Sequence, residues 1–446
     1  MQDRGHLLRI LGVGFGIAAV VGSVIGQGIL RSPGVIAQAT GSEALIVALW
    51  IGGALVSCLF AFAYAELGAA IPRAGGSYAF IHRALGGHAS LLAAFAMLVT
   101  GYSTIAYLCF VVGEFLVRLG VGGGAIGPGT FGTVLMILFA LLNASGTRIS
   151  GMAQIVLSSA KGLVLLGLVI ALFASPGSAP APAEPTLREG WLPLGTAVVV
   201  VLTTYGGWWN LAFYGEEMAD PGRDVPRSLI GGILGVGALY VVINIAMLQV
   251  MTPGQMAGSN LVAADAAGAV FGPRGAFFLT CFGVLSVGAI ASLSVMSYTR
   301  LTYALARARI LPAALSTVSR RGTPLRAMAL AVVASGLLML TGSYLALVSL
   351  GETVFLPVLL GVMLSVIVLR RREPDLPRPF HVPFYPWSIY LSMAVLAALL
   401  VVFIAQDPFY SVAGFVLVGA MWLAFQAVAI LRGKRGFTGA EAEDIE

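Results

Sequence analysis

Long apolar runs, parted by short polar, glycine- or proline-bearing breaks, follow one another from residue 10 to residue 432. About 20 apolar residues are what a helix needs to cross a bilayer, and the pattern predicts twelve such runs. The first five cover 10–38, 43–71, 88–118, 130–146 and 150–174. A polar connection from Ser175 to Pro193 follows, marked as a loop by Pro176, Pro180, Pro182 and Pro185. The sixth and seventh runs are 194–218 and 228–251, and 252–272 predicts a loop with room for a short interfacial helix. Runs eight to twelve are 274–305, 327–348, 353–370, 386–405 and 408–432, with an acidic tail beyond, in 433–446. The fold class predicted is an all-α integral membrane protein with twelve transmembrane helices in a single domain, 1–432.

Two of the runs are interrupted. The first contains Val21-Gly22-Ser23-Val24-Ile25-Gly26-Gln27-Gly28-Ile29-Leu30, and the sixth contains Thr203-Thr204-Tyr205-Gly206-Gly207-Trp208. A backbone that leaves helical geometry in lipid must have its freed N–H and C=O groups satisfied by protein, water or ligand. Glycine lowers the cost of that unwinding. Each broken run heads a block of five, 10–174 and 194–370. Blocks of five have opposite topologies, which makes them an inverted repeat, with 386–432 outside it as two additional helices. Broken segments at equivalent places in two halves are the sequence pointer to a transporter binding site. In the first break, the N–H groups of Gly26, Gln27 and Gly28 open a half-helix whose positive end suits a carboxylate. Carbonyls around Ser23 and Val24 suit an ammonium group. In the second break, Thr203 and Thr204 offer hydroxyls and carbonyls, Gly206 and Gly207 flexibility, and Tyr205, Trp208 and Trp209 bulk. Close helix packing through small residues is the competing explanation for the glycines.

Lys161 sits near the middle of the fifth run, in Leu157-Ser158-Ser159-Ala160-Lys161-Gly162-Leu163. An ammonium at that depth is costly and marks a functional position by default. It either exchanges a proton or stands as a fixed cation bracing its helix, and a purely structural lysine overlaps the second reading. Glu66 closes the second run, and Glu216 and Glu217 stand at the same place in the sixth. Glu66 and Glu217 are candidates for a cytoplasmic gate, with ion-pair staples the alternative. Glu114 and Arg118, four apart, read as a helical pair without a functional role.

Composition sharpens the class. Of the 446 residues 59% are hydrophobic and 10% charged, and the mean hydropathy is +0.96, whereas a soluble domain is nearer a quarter charged. The net charge of +6 reflects arginine-rich inner loops and not a nucleic-acid partner. With the N-terminus inside, twenty of the 25 basic residues fall in cytoplasmic segments, which predicts both termini in the cytoplasm of a cell (inner) membrane protein. The first apolar run leads directly into a second without a small-residue cleavage site, which argues against a removable signal peptide. Cys58, Cys109 and Cys281 are scattered, so no disulfide framework or metal cluster is expected. Phosphate-loop, HExxH and GxSxG signatures do not occur in the sequence, so the chemistry of an ATP-driven pump or a membrane hydrolase is not expected. No cofactor is expected.

These residues resemble a known family. Gly22 to Leu30, Tyr64-Ala65-Glu66-Leu67-Gly68 with Ile71-Pro72-Arg73-Ala74-Gly75-Gly76-Ser77-Tyr78, and Tyr205-Gly206-Gly207-Trp208 carry the likeness. It continues in Glu216-Glu217-Met218, Thr299-Arg300-Leu301 and Arg378-Pro379-Phe380. Over nearly its whole length the chain is similar to the amino acid–polyamine–organocation superfamily, in the branch of L-type amino acid transporters and their bacterial relatives. The resemblance implies a LeuT-type fold of ten spans in two inverted repeats plus two more. It implies an amino acid substrate whose carboxylate meets the N–H groups of Gly26, Gln27 and Gly28. The amine would meet the carbonyls of Val24, Thr203 and Gly206, so that Ser23 to Gly28 (including Ile25) and Thr203 to Trp208 line the site. Lys161 matches the family's span-five lysine, which takes the place of a sodium ion, with Ser294 its first expected partner and Ser292 the second.

Two residues depart from the pattern. Gln27 stands where relatives usually carry Ser, Thr or Ala, and Thr203 where many carry a gating aromatic. Residues 119–129 lack the cysteine that joins eukaryotic members to a partner subunit, so no disulfide-linked partner is expected. The function implied is sodium-independent transport of neutral L-amino acids by alternating access, as an exchanger or a proton-coupled symporter. The expected pocket has no mid-membrane acidic side chain to suit a cationic amino acid or polyamine, which makes that cargo the secondary one. An amino-acid sensor using the same site is the alternative of another class, ahead of a channel or a membrane enzyme.

Overall fold

Helices start where the chain supplies caps. Ser42 accepts from the Leu45 N–H at 3.4 Å, with Glu43 in the first turn beside the positive helix end. Asp220 does the same for Arg223 N, and Pro221, which has no N–H to leave unpaired, opens that helix. Thr252 and Gln255 form a reciprocal capping box. The computed structural model describes residues 11–72, 75–144, 150–175, 191–319, 323–341 and 343–431.

Sixteen α-helices result among the described residues. α1 (Val13–Val24) and α2 (Gln27–Thr40) form the first broken run and meet at 47°. α3 (Glu43–Ala70), α4 (Ser77–Leu85), α5 (Gly87–Arg118), α6 (Pro128–Ala144) and α7 (Ser150–Ala174) follow. α8 (Trp191–Thr204) turns into a 3₁₀ helix, Trp208–Glu217, and α9 (Pro221–Val250) continues. Then come α10 (Pro253–Ala257), α11 (Val262–Phe271), α12 (Pro273–Arg307), α13 (Leu325–Met339), α14 (Tyr344–Arg372), α15 (Trp387–Gln406) and α16 (Pro408–Leu431). Among the described residues the one β-type pairing is an isolated bridge between Leu11 and Met218.

Seven of these helices, α3, α5, α9, α12, α14, α15 and α16, are long and apolar enough to cross a membrane, and the bent α1–α2 pair makes an eighth. The chain is a multi-pass, all-helical membrane protein. α6, α11, α13 and Ala160–Ala174 of α7 are apolar but shorter.

Several boundaries differ from those read in the sequence. α4 occupies a stretch left between the second and third runs; its last turn carries His82 and Arg83, which suit a helix C-terminus. Residues 252–272 form α10 and α11, whose Met256, Val262 and Ala263 are buried. The ninth run ends early, at Met339, and α14 starts at Tyr344 and not at 353. Ser343 caps it, its hydroxyl accepting from Ala346 N at 3.4 Å. Gly351 and Glu352, taken as a break, thereby lie inside a helix.

The chain divides into two compact units, each drawing on both blocks 10–174 and 194–370. One comprises Met1–Ala84, Gln154–Ala276 and Leu359–Ala398. In it α9 packs against α1 and α3, and α2 against α8, through small-residue seams. A methyl on Gly232 would come within 2.6 Å of Val20, and one on Gly237 within 2.7 Å of Ala54. The other comprises Leu85–Ala153, Phe277–Val358 and Leu399–Glu446. It is centred on α5, where Thr100 Oγ1 donates to the Gly351 carbonyl at 2.9 Å and Tyr102 shares a 2.8 Å hydrogen bond with Thr302.

The paired helix breaks and the candidate substrate site

Both breaks belong to the first unit. α1 ends at Val24, and Ile25 leaves the helix with ψ 94° while its N–H still reaches the Val21 carbonyl at 2.8 Å. Gly26 begins α2 as a cap without a side chain. The first N–H groups of α2, from Gln27 onward, have no carbonyl one turn back. Such a helix start, in the middle of an apolar pair of helices, carries the partial positive charge of a helix N-terminus.

The second break is pressed onto the first. α8 ends at Thr204, the Gly206 N–H turns back to the Thr203 carbonyl at 3.0 Å, and Gly207 adopts φ +105°. That left-handed geometry favours glycine, and so does the surrounding space. A Cβ at Gly207 would lie 2.8 Å from the Ser23 carbonyl oxygen. One turn away the seam continues: Gly28 faces the Thr204 side chain without room for a methyl, and Ser32 Oγ shares a 2.7 Å hydrogen bond with Thr204 Oγ1. Thr204 in turn donates to the Val200 carbonyl at 2.7 Å.

Burial sorts the sequence-predicted residues into two groups. Val24, Ile25, Gly26, Gly28, Thr204, Tyr205 and Trp208 are buried, whereas Ser23, Thr203, Gly206 and Gly207 keep partial exposure. The backbone of Gln27 opens α2, but its side chain lies outside the described residues, as do those of Glu216 and Glu217. The aromatics face inward. Tyr205 donates to the Trp50 carbonyl at 2.9 Å and stacks edge-on against Trp50 at 5.9 Å. Trp208 meets Tyr64 edge-on at 5.1 Å, and Tyr64 shares a 2.6 Å hydrogen bond with Ser77. Both rings are therefore supports that hold the break in shape. Of the carbonyls expected for an ammonium group, Val24 already accepts from Tyr240 at 2.9 Å and Thr203 from Gly206. A carbonyl has two lone pairs, so each retains one.

Lys161 is 2% exposed, and its Nζ finds no hydrogen-bond partner among the described residues. It belongs to the first unit. Ser294 and Ser292 belong to the second, where Ser292 Oγ accepts from Asn143 Nδ2 at 3.1 Å and Ser294 is half-buried.

Glu66 is 1% exposed and fully engaged. Arg370 reaches it in a two-pronged pair, Nε at 2.9 Å and Nη2 at 2.5 Å, with Arg378 Nε at 3.6 Å and the Val382 N–H at 2.8 Å. Arg378 also donates to the Leu369 and Glu373 carbonyls at 2.9 and 2.8 Å, closing the C-terminal turn of α14. Nearby, Arg83 makes a two-pronged pair with Glu373, at 3.1 and 2.6 Å, and holds that carboxyl below the ordinary carboxylate range. α3, α4 and α14 are thus tied at one end of the first unit.

Sequence reasoning missed the supports. Ser32 lies one turn beyond Gly28 on the same face of α2, a spacing that points to a shared partner. Tyr240 and Trp50 carry no such signal, because their roles exist only once α3 and α9 are packed against the breaks.

Comparison with known proteins agrees with the resemblance. The amino acid permease family profile matches residues 16–431. The serine/threonine exchanger SteT of Bacillus subtilis is 26% identical over 401 residues, covering 88% of this chain and 90% of that protein. The mouse Asc-type amino acid transporter 1 is 27% identical over 437 residues, 94% of this chain and 80% of the relative. The rabbit large neutral amino acids transporter small subunit 2 is 28% identical over 399 residues, 86% of this chain and 74% of the relative. Since the family profile takes in both breaks and runs from within α1 to the end of α16, the chain belongs to the amino acid permease family, within the amino acid–polyamine–organocation superfamily.

Proposed function

We propose that the chain is a sodium-independent carrier of neutral L-amino acids that works by alternating access, as an exchanger or a proton-coupled symporter. The observation that carries this reading is the direct abutment of the two helix breaks at Gly207 and Ser23. A half-helix N-terminus, suited to a carboxylate, then lies beside carbonyls of partly exposed residues, suited to an ammonium group. A zwitterion is the ligand that carries both charges. The names of the relatives, a serine/threonine exchanger, an Asc-type amino acid transporter and a large neutral amino acids transporter small subunit, support the same class. The residues proposed to contact substrate are Ser23, Gly26, Gln27, Gly28, Thr203, Gly206 and Gly207, with Tyr205 and Trp208 as supports. Lys161 is proposed to hold the first break from α7, in the place of a sodium ion.

The test is uptake of labelled L-serine, L-alanine and L-leucine into proteoliposomes. Uptake that saturates, persists when sodium is replaced by choline and is accelerated by internal substrate supports an exchanger. Acceleration by an inward proton gradient without internal substrate supports symport. Uptake no greater than in empty vesicles for all twenty amino acids sinks the proposal.

A further inference from the structure

At the start of α9 a cavity of about 760 Å³ opens beside the segment that follows α14. Its polar lining is Asp220, Arg223 and Arg227, and its apolar lining includes Pro226, Ile230, Pro379 and Phe380. The two arginines are four residues apart and so stand one above the other on the helix. Both are exposed, and neither guanidinium pairs with a carboxylate or carbonyl among the described residues. Asp220 also lines the cavity, but its carboxylate accepts from Arg223 N at 3.4 Å and caps the helix. The lining therefore keeps one uncompensated positive charge and two forked donors, the arrangement that grips phosphate.

The walls are built and not loose. A methyl on Gly222 would lie 2.8 Å from Pro379 Cβ, so the helix start and the segment touch. Arg378, with its four carbonyl partners and Glu66, fixes the residue just before Pro379. Phe380 rests on Phe62 with ring centroids 6.5 Å apart.

The same face of α9 then turns apolar. Gly231, Leu234, Gly235, Ala238 and Val242 continue the exposed line that begins with Arg223 and Arg227, and Leu234 and Val242 are 50% and 39% exposed. From Arg227 to Leu234 is about 10 Å along the axis. A charged head followed at that distance by an apolar strip is complementary to a lipid, and free phosphate would use only the first part. We propose that Arg223 and Arg227 hold the phosphate of an anionic phospholipid whose acyl chains lie along Leu234 and Val242. This site is separate from the helix breaks and does not rest on the transport reading.

The test uses the full-length protein purified in dodecyl maltoside and offered dioleoylphosphatidylglycerol or dioleoylphosphatidylcholine, with retained lipid counted by native mass spectrometry. Phosphatidylglycerol is expected to be kept in preference, and R223Q/R227Q is expected to lower its retention by about thirtyfold, the combined effect of two basic residues at an anionic surface. R223K/R227K, which keeps the charge but not the fork, is expected to fall between. Equal retention by wild type and R223Q/R227Q overturns the site, as does equal retention of the two lipids by the wild type. Release of all phosphatidylglycerol by millimolar inorganic phosphate overturns the lipid assignment in favour of free phosphate. If R223Q/R227Q is not monodisperse, the unmodified protein decides: added NaCl releases the lipid if guanidinium groups hold it, and unchanged retention at high salt overturns the proposal.

Discussion

At the scale of single residues the two breaks are held by contacts that leave almost no slack. Gly207 combines φ +105° with a carbonyl where its Cβ would be, so Gly207→Ala should cost about 1–3 kcal/mol through backbone strain and displacement of Ser23. The expected outcome is a lower melting temperature in detergent together with loss of uptake. Unchanged melting would show that the two breaks do not press on each other. Gly28→Ala tests the neighbouring contact, because the added methyl meets the Thr204 side chain and not backbone. Thr204→Ser removes the Cγ2 in its way and keeps the hydroxyl for Ser32. The double variant should therefore recover part of the stability that Gly28→Ala loses, a coupling read from a double-mutant cycle. Lys161→Ala is the residue-scale test of coupling. If Lys161 braces the breaks, uptake falls at least roughly tenfold, about 1.4 kcal/mol, and its dependence on a pH gradient keeps its form. If the proton rides on Lys161, exchange continues and the response to the gradient disappears.

At the scale of elements, we propose that the Glu66 cluster is a staple, and its weakness is calculable. Glu66→Gln leaves Arg370 and Arg378 facing an amide in a nearly closed site. Removal of one partner of a buried pair costs about 3–5 kcal/mol. Arg370 keeps 19% exposure, which places the loss at the lower end. Thermal melting should register this as a large destabilisation, and an unchanged melt would mean that the cluster opens and closes freely, as a gate would. The Arg83–Glu373 pair nearby gives a pH sign. Glu373 is depressed in the folded state, so its contribution is present above the unfolded carboxylate value and is lost as pH falls through the folded one. Both side chains are about a third exposed, so Glu373→Gln should flatten the acid limb of the stability profile only slightly.

The elements also show what a sequence holds and what it does not. Both breaks were legible because glycines cluster with polar residues inside two apolar runs that head equivalent blocks, and most long helices were legible from their polar edges. The start of α14 was not, because Gly351-Glu352 looks like a stop. Gly351 is packed so closely that its missing Cβ would lie 2.8 Å from Ser103, and Thr100 takes its carbonyl. Tertiary packing overrode local propensity there. The partners of Glu66 lie 304 positions away in Arg370, and no spacing in the chain announces such a pair.

At the scale of the whole molecule, α13 is one of the apolar helices shorter than a full span, and its crossing can be argued from charge. With 15 residues it is about 22 Å long, against about 30 Å of hydrocarbon. On length alone it stops short, and the residues before and after it would then share one side of the membrane. The arginines argue otherwise. Arg307, Arg309 and Arg326 stand on the α12 side of α13, whereas Arg370, Arg371 and Arg372 lie at the far end of α14. Both clusters can sit on the cytoplasmic side only if α13 and α14 each cross once. The mismatch of several ångströms is within what bilayer thinning absorbs at a fraction of a kcal/mol per ångström, and the exposed Leu337 and Leu340 extend the apolar surface to the end of the helix. A topology reporter placed at 341–343 should therefore give the external signal, active alkaline phosphatase and dark green fluorescent protein. The same reporters at 311–319 and beyond 431 should give the internal one. An internal signal at 341–343 and at 311–319, with an external one beyond 431, would remove α13 from the spans, break the five-plus-five arrangement and, with it, the equivalence of the two broken helices on which the transport reading stands.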